Sequence, residues 1–198
     1  MKTISKITFV FALVAFANTS FALRFSNLRV DLLPVSAESA VVEISTFSNS
    51  NFKITVVDNE DRIVFSNENT EPSDNYRVQY DHSNLPDGVY KLTVVSGDLT
   101  TERSFRKTLG AIKVGKEKMM IKPFFGYKNG LVRCAYLNFP KEYLTLYLLK
   151  KDQLLYTKDL GKTFNMSEAI NLSQLDVGSY TAVLSAGGKE YSYQIDKK

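Results

Sequence analysis

The chain has 198 residues, 25 basic and 21 acidic side chains, a net charge of +4, and a composition 44% hydrophobic and 23% charged. That length holds one large domain or two small ones, and the balance excludes wholesale disorder and a many-span membrane protein. One Cys and one His exclude an intramolecular disulfide, a thiolate metal cluster and a poly-histidine metal site.

The chain opens with MKTISKITFVFALVAFANTSFA, in which Lys2 and Lys6 precede an apolar run from Ile7 to Ala17 broken only by Thr8. Ser20 and Ala22 supply small residues at the cleavage positions, so residues 1–22 read as a secretory signal peptide, cleaved after Ala22 or, second, after Ala17. A membrane-spanning helix needs about 20 apolar residues, and the run is shorter. No Cys lies beside the cleavage region to carry a lipid. The expected destination is therefore outside the cytoplasm: periplasm, cell surface or extracellular space, with no integral membrane segment once the signal is removed.

Past residue 22 the apolar period is two. Phe52, Ile54 and Val56 alternate with polar residues, as do Tyr76, Val78 and Tyr80, and then Tyr90, Leu92 and Val94. Further along, Leu144, Leu146 and Leu148, then Tyr180, Ala182 and Leu184, then Tyr191, Tyr193 and Ile195 do the same. Such alternation buries one face of each strand. Turn clusters at Asp58 to Asp61, Glu71 to Asn75, Pro86-Asp87-Gly88 and Ala186-Gly187-Gly188 punctuate the strands, and no segment carries a helical period. The chain also repeats itself. Leu85-Pro86-Asp87-Gly88-Val89-Tyr90 returns ninety positions later as Leu175-Asp176-Val177-Gly178-Ser179-Tyr180, and Val41 to Ile44 returns as Leu131 to Cys134. Two copies of about ninety residues, each of roughly seven strands, have the size of immunoglobulin-like sandwiches. The expected fold class is all-β: two tandem immunoglobulin-like β-sandwich domains, 23–108 and 109–198, after the signal peptide, with a short linker near Lys107 to Lys116.

Within the repeat, Gly88 and Gly178 are expected to permit a tight turn. Tyr90 and Tyr180 are expected to bury their rings and bond back to loop backbone as tyrosine corners rather than to contact a ligand. The strand patterning and this motif, seen in ITVVDNEDRIVFSN with NLPDGVYKLTV and in LYLLKKDQLLYTKDL with INLSQLDVGSYTAVL and YSYQIDKK, resemble the C-terminal sorting domain of type IX secretion cargo and its immunoglobulin-like relatives. The resemblance implies an exported β-sandwich and specifies fold more than function.

Catalytic chemistry finds little to work with. His82, beside Asp81 and Ser83, is expected to be a solvated loop imidazole, since members of a Ser-His-Asp triad converge from separate elements. Cys134 alternates with Val132 and Tyr136 and reads as a buried apolar thiol. Asp58, Glu60 and Asp61 read as a hairpin turn, with a weak calcium site or a carboxylate pair as lesser readings. No catalytic, cofactor-binding or metal residue is assigned, and no cofactor is expected.

Split at 108/109, the first copy has 9 basic and 13 acidic residues and the second 14 and 8. Lys113, Lys116, Lys118, Lys122 and Lys128 cluster near the start of the second copy, which also holds eight of the eleven tyrosines. A protein partner, an anionic surface or an acidic polysaccharide would suit that basic second domain better than nucleic acid. Phe124, Phe125, Tyr127, Tyr136, Tyr143 and Tyr147 crowd the same region, and an exposed strip of them would mark a binding surface. The expected role is non-enzymatic: binding, adhesion or surface assembly. The alternatives are a periplasmic chaperone-like protein, a type IX secretion cargo protein, or a carbohydrate-active accessory protein.

Overall fold

The computed structural model describes residues 28–198, apart from the side chains at 47 and 48, and the expected signal peptide lies outside the described residues. Among the described residues there is no helix, and none therefore long and apolar enough to cross a membrane. Seven strands run through the first two thirds: β1 (Arg29–Pro34), β2 (Ser39–Val57), β3 (Ile63–Asp81), β4 (Gly88–Ser96), β5 (Leu99–Thr108), β6 (Ala111–Ile121) and β7 (Phe124–Lys128). Six follow: β8 (Leu131–Leu137), β9 (Leu144–Lys150), β10 (Gln153–Gly161), β11 (Asn165–Asn171), β12 (Gly178–Ala186) and β13 (Lys189–Lys197).

Side-chain alternation explains the strands directly. In β9, Leu144, Leu146 and Leu148 are buried while Tyr143 just before the strand is exposed, and in β12 Tyr180, Ala182 and Leu184 are buried between exposed or half-buried neighbours. From β7 onward the strands form two antiparallel sheets, β11-β8-β7 and β10-β9-β12-β13. With the seven strands lettered A to G in order, A, B and E share one sheet and C, F and G the other, with the fourth strand beside C. That connectivity is an immunoglobulin-like sandwich in its fibronectin-like form.

The first copy follows the same plan with two fusions. β2 pairs with β1 from Ala40 to Ser45 and with β4 from Lys53 to Val57, so one long strand supplies both B and C. β3 accompanies β2 along both parts. Register shifts between Ser45 and Phe52 mark the bend at which β2 passes from one layer to the other, the usual way a strand turns a sandwich corner. Where the second copy needs two strands it has a corner built on Asn138, which is fully buried. Its amide donates to the Glu142 (2.7 Å) and Thr163 (3.1 Å) carbonyls, and its Oδ1 accepts from Glu142 N at 2.9 Å.

Two hydrophobic clusters result, one around Leu28, Ile44, Ile54, Leu92 and Phe105, the other around Cys134, Leu146, Leu172, Tyr180 and Ile195, and Ile121 packs against both. The stretch 107–116, expected as a linker, is instead the end of β5, a turn and the start of β6. β6 pairs with β5 from Thr108↔Ala111 to Leu99↔Ile121, and Ile112 enters the first cluster. The 108/109 division therefore falls inside a hairpin. The reason is non-local: a short polar stretch holding Gly110 and Gly115 reads as a linker until its pairing with β5 is known.

Candidate functional site

The tyrosine corners are present in both copies. Tyr90 Oη donates to the Pro86 carbonyl at 2.7 Å and Tyr180 Oη to the Asp176 carbonyl at 2.6 Å, with both rings buried. Gly178 has φ +147 and takes a conformation that favours glycine, whereas Gly88 does not. These tyrosines are structural.

His82 is a correction. It is buried, not solvated, with its ring 5.5 Å from that of Phe105, and its Nε2 has no hydrogen-bond partner. Burial pushes its pKa below the ordinary value, Asp81 acts in the opposite sense, and Lys107 lowers it further. The ninety-residue repeat holds the signal that the sequence reading missed, because His82 stands where the second copy has the fully buried Leu172. The neighbouring bonds match as well. Asp81 Oδ1 accepts from Ser83 N as Asn171 Oδ1 accepts from Ser173 N, and Leu85 N bonds His82 O as Leu175 N bonds Leu172 O. His82 is a core position that carries an imidazole.

Cys134 is buried, and desolvation raises its thiol to about 12, so it is no nucleophile at neutral pH. Asp58 organises the β2–β3 turn: its Oδ1 accepts from Glu60 N (2.9 Å) and Arg62 N (3.0 Å), and its Oδ2 pairs with Arg62 Nε (2.8 Å). Desolvation raises its pKa, but the donors from Arg62 and Glu60 outweigh that and hold the carboxyl below its ordinary value. Asp61, at φ 58, pairs with Lys91. Among the described residues no group of His, Cys, Asp or Glu is arranged to hold a metal ion.

An open groove of about 440 Å³ lies on β4, β5 and β6 beside the β2–β3 turn, with Asp58, Asp61, Lys91, Glu102, Ser104, Lys116 and Lys118 in its lining. Two of its charges lead into the second copy. Glu102 pairs with Lys189 at 3.1 Å, and Lys118 with Glu142 at 2.8 Å, a hydrogen bond that, with the lysine charge, holds the Glu142 carboxyl below its ordinary value. Lysines and carboxylates both line the groove.

The expected lysine cluster divides. Lys113, Lys116 and Lys118 ride on β6 at the edge of the first sheet, Lys122 follows that strand, and Lys128 lies on β7 in the other sandwich. With β6 counted in the first copy, residues 23–122 carry 13 basic and 14 acidic side chains and residues 123–198 carry 10 and 7. The strong polarity between an acidic and a basic half falls to net charges of −1 and +3.

The aromatics divide too. Phe125 stacks on Tyr193 at 5.6 Å and Tyr136 is buried, so both are structural, while Phe124 and Tyr143 are exposed. Phe164, not singled out from the sequence, is exposed and meets Phe139 edge-on at 5.5 Å, because Asn138 ties their two loops together.

Residues 36–107 match the family model described as the secretion system C-terminal sorting domain. The match spans the first copy from the turn after β1 to the end of β5 and implies secretion to the cell surface or the extracellular space. No curated protein matches the chain. Among solved structures, the chain is similar to the BSP domain of a biofilm associated protein, with 17% identity, a TM-score of 0.30, and coverage of 84% of this chain and 29% of that one. It is similar to the central fibronectin-III array of RIM-binding protein, with 14% identity, a TM-score of 0.28, and coverage of 87% and 63%. A marsupial T cell receptor gives 12% identity, a TM-score of 0.29, and coverage of 85% and 96%. The chain thus spans less than two thirds of the first two structures, and no functional statement rests on likenesses at these scores.

Proposed function

We propose that the chain is an exported, non-enzymatic protein of two tandem immunoglobulin-like modules that acts by binding at the cell surface. The match of residues 36–107 to a secretion sorting domain carries this reading. The modules divide near Lys122-Pro123, after β6, since β6 closes the first sheet and Ile112 belongs to the first core. The groove on β4, β5 and β6 with its lysines and carboxylates, and the exposed Phe124, Tyr143 and Phe164, supply surface for a protein or anionic polysaccharide partner.

The direct test incubates the purified chain with cells that produce it and, separately, with acidic polysaccharides, following both retention and turnover. Saturable retention without chemical change of the polysaccharide is the expected result. Glycan hydrolysis that scales with protein concentration would make the chain an enzyme and overturn the proposal.

A further inference from the structure

β5 and β13 hold the same place ninety positions apart, each following the tyrosine-corner strand and pairing with it in register. On its other side β5 is covered by β6 across nine register pairs, among them Glu102↔Lys118 and Arg103↔Glu117. β13 ends its sheet, and among the described residues it pairs with β12 alone.

An uncovered edge strand offers a row of unpaired N–H and C=O groups, which proteins blunt with bulges, proline, lysine or brevity. Of the other edges, β10 carries two register shifts, β6 one, β3 three with Pro72, and β1 ends at Pro34, while β7 and β11 are shorter, with five and seven residues. β13 runs nine residues against β12 without a shift, and from Glu190 to Asp196 it contains neither proline nor lysine. Its two lysines are occupied elsewhere. Lys189 Nζ contacts Glu102 and Met120 Sδ, and Lys197 Nζ donates to the Ser173 and Leu175 carbonyls. Along the strand Tyr191 and Tyr193 are only half-buried, and Glu190, Ser192, Gln194 and Asp196 are exposed. A second copy fits poorly, since full-length antiparallel pairing of two β13 strands about Tyr193 sets Glu190 against Asp196 and Lys189 against Lys197, like charge against like.

We infer that the outer edge of β13 is a docking site for a β-strand supplied by a partner protein, which takes the place that β6 takes beside β5. The incoming strand lays apolar side chains beside Tyr191 and Tyr193 and carries basic residues on the face of Glu190 and Asp196, as Lys118 stands opposite Glu102 in the first module. Main-chain hydrogen bonds hold it and the alternate side chains select it. The inference deepens the binding role proposed above by naming the surface and the form of the partner. Its failure would leave surface retention and export untouched, because its readout is confined to the β13 amides.

The probe is a synthetic peptide with the sequence of residues 111–121, added to the full chain and followed by amide hydrogen exchange. In the free chain, alternate amides between Glu190 and Asp196 exchange fast, and saturating peptide slows them by about tenfold or more. The same peptide with proline in place of both Val114 and Gly115 gives no protection, and Gln194→Pro in the chain abolishes the effect of the unmodified peptide. The proline peptide leaves the chain unaltered, so the result does not depend on whether the variant folds. β13 amides that are slow without peptide, or unchanged at saturation, overturn the inference. So does peptide-induced protection on β10 or β11 instead, or sedimentation showing a dimer in which β13 is already protected, since the occupant would then be a second copy.

Discussion

At the scale of single residues, the two copies are most informative where they differ. His82 stands where Leu172 stands in the other module, and a core site that suits leucine leaves imidazole Nε2 without a partner. The folded state lowers the His82 pKa, so it favours the neutral ring. The stability of the first module should be intact above the ordinary histidine value of 6.5 and fall as the pH drops below it. Asp81, held below 3.8 by its bonds to Ser83, loses its contribution only at much lower pH, so the interval from 7.5 to 5 isolates the imidazole. Thermal melts of the chain and of His82→Leu over that interval should diverge as the pH falls, with the leucine variant nearly flat. Parallel curves would contradict the burial of the ring. For the corner tyrosines, Tyr90→Phe and Tyr180→Phe each remove one bond to a loop carbonyl and should cost about 1 kcal/mol in denaturant unfolding. Cys134, with its thiol raised to about 12, should resist a thiol reagent at pH 8 until the chain is unfolded. The tyrosine and cysteine roles were legible because alternation and a turn motif fix them locally. The role of His82 was hidden because a polar residue between Asp81 and Ser83 reads as loop until its partner in the repeat is placed beside it.

At the scale of elements, period-two alternation located the central core strands β2, β3, β4, β8, β9, β12 and β13, since inward leucines, valines and tyrosines are what hold each strand to its core. What alternation does not carry is pairing. Lys107 to Lys116 reads as a linker, yet Ala111 to Ile121 pairs with β5, which puts Lys113, Lys116 and Lys118 on the edge of the first sheet. The continuity of β2, against the separate β8 and β9, was equally hidden, because it turns on how one corner satisfies its backbone. In the second module that task falls to Asn138. Asn138→Ala should leave Glu142 N and the Glu142 and Thr163 carbonyls to find other partners and should destabilise the chain by about 2 kcal/mol. Denaturant unfolding checks the cost, and amide exchange should show the 138–143 and 162–164 loops loosening first. Asn138→Asp, which keeps the acceptor and loses the donor, should recover only part of the loss.

At the scale of the molecule, two ion pairs and the shared Ile121 join the modules. Both pairs are part-exposed, so each is worth at most a few tenths of a kcal/mol and is screened by salt. The double variant Lys118→Ala with Lys189→Ala should leave both melting transitions nearly unchanged while broadening the range of inter-module distances in solution scattering. An unchanged scattering profile would assign the rigidity to Ile121 and Met120 instead. The net charges of −1 and +3 make attraction between acidic and basic halves a minor term in any assembly, so recognition has to come from shaped surface and open strand edge rather than from bulk charge.

Export underlies the proposed role, and cell fractionation tests it most directly. The chain is produced in a bacterium that has the secretion route of the sorting domain and in a derivative that lacks it, and is followed through cytoplasm, periplasm, surface and medium. The chain is expected at the surface or in the medium of the first and retained inside the second. Recovery in the periplasm of both strains in equal amounts would contradict it.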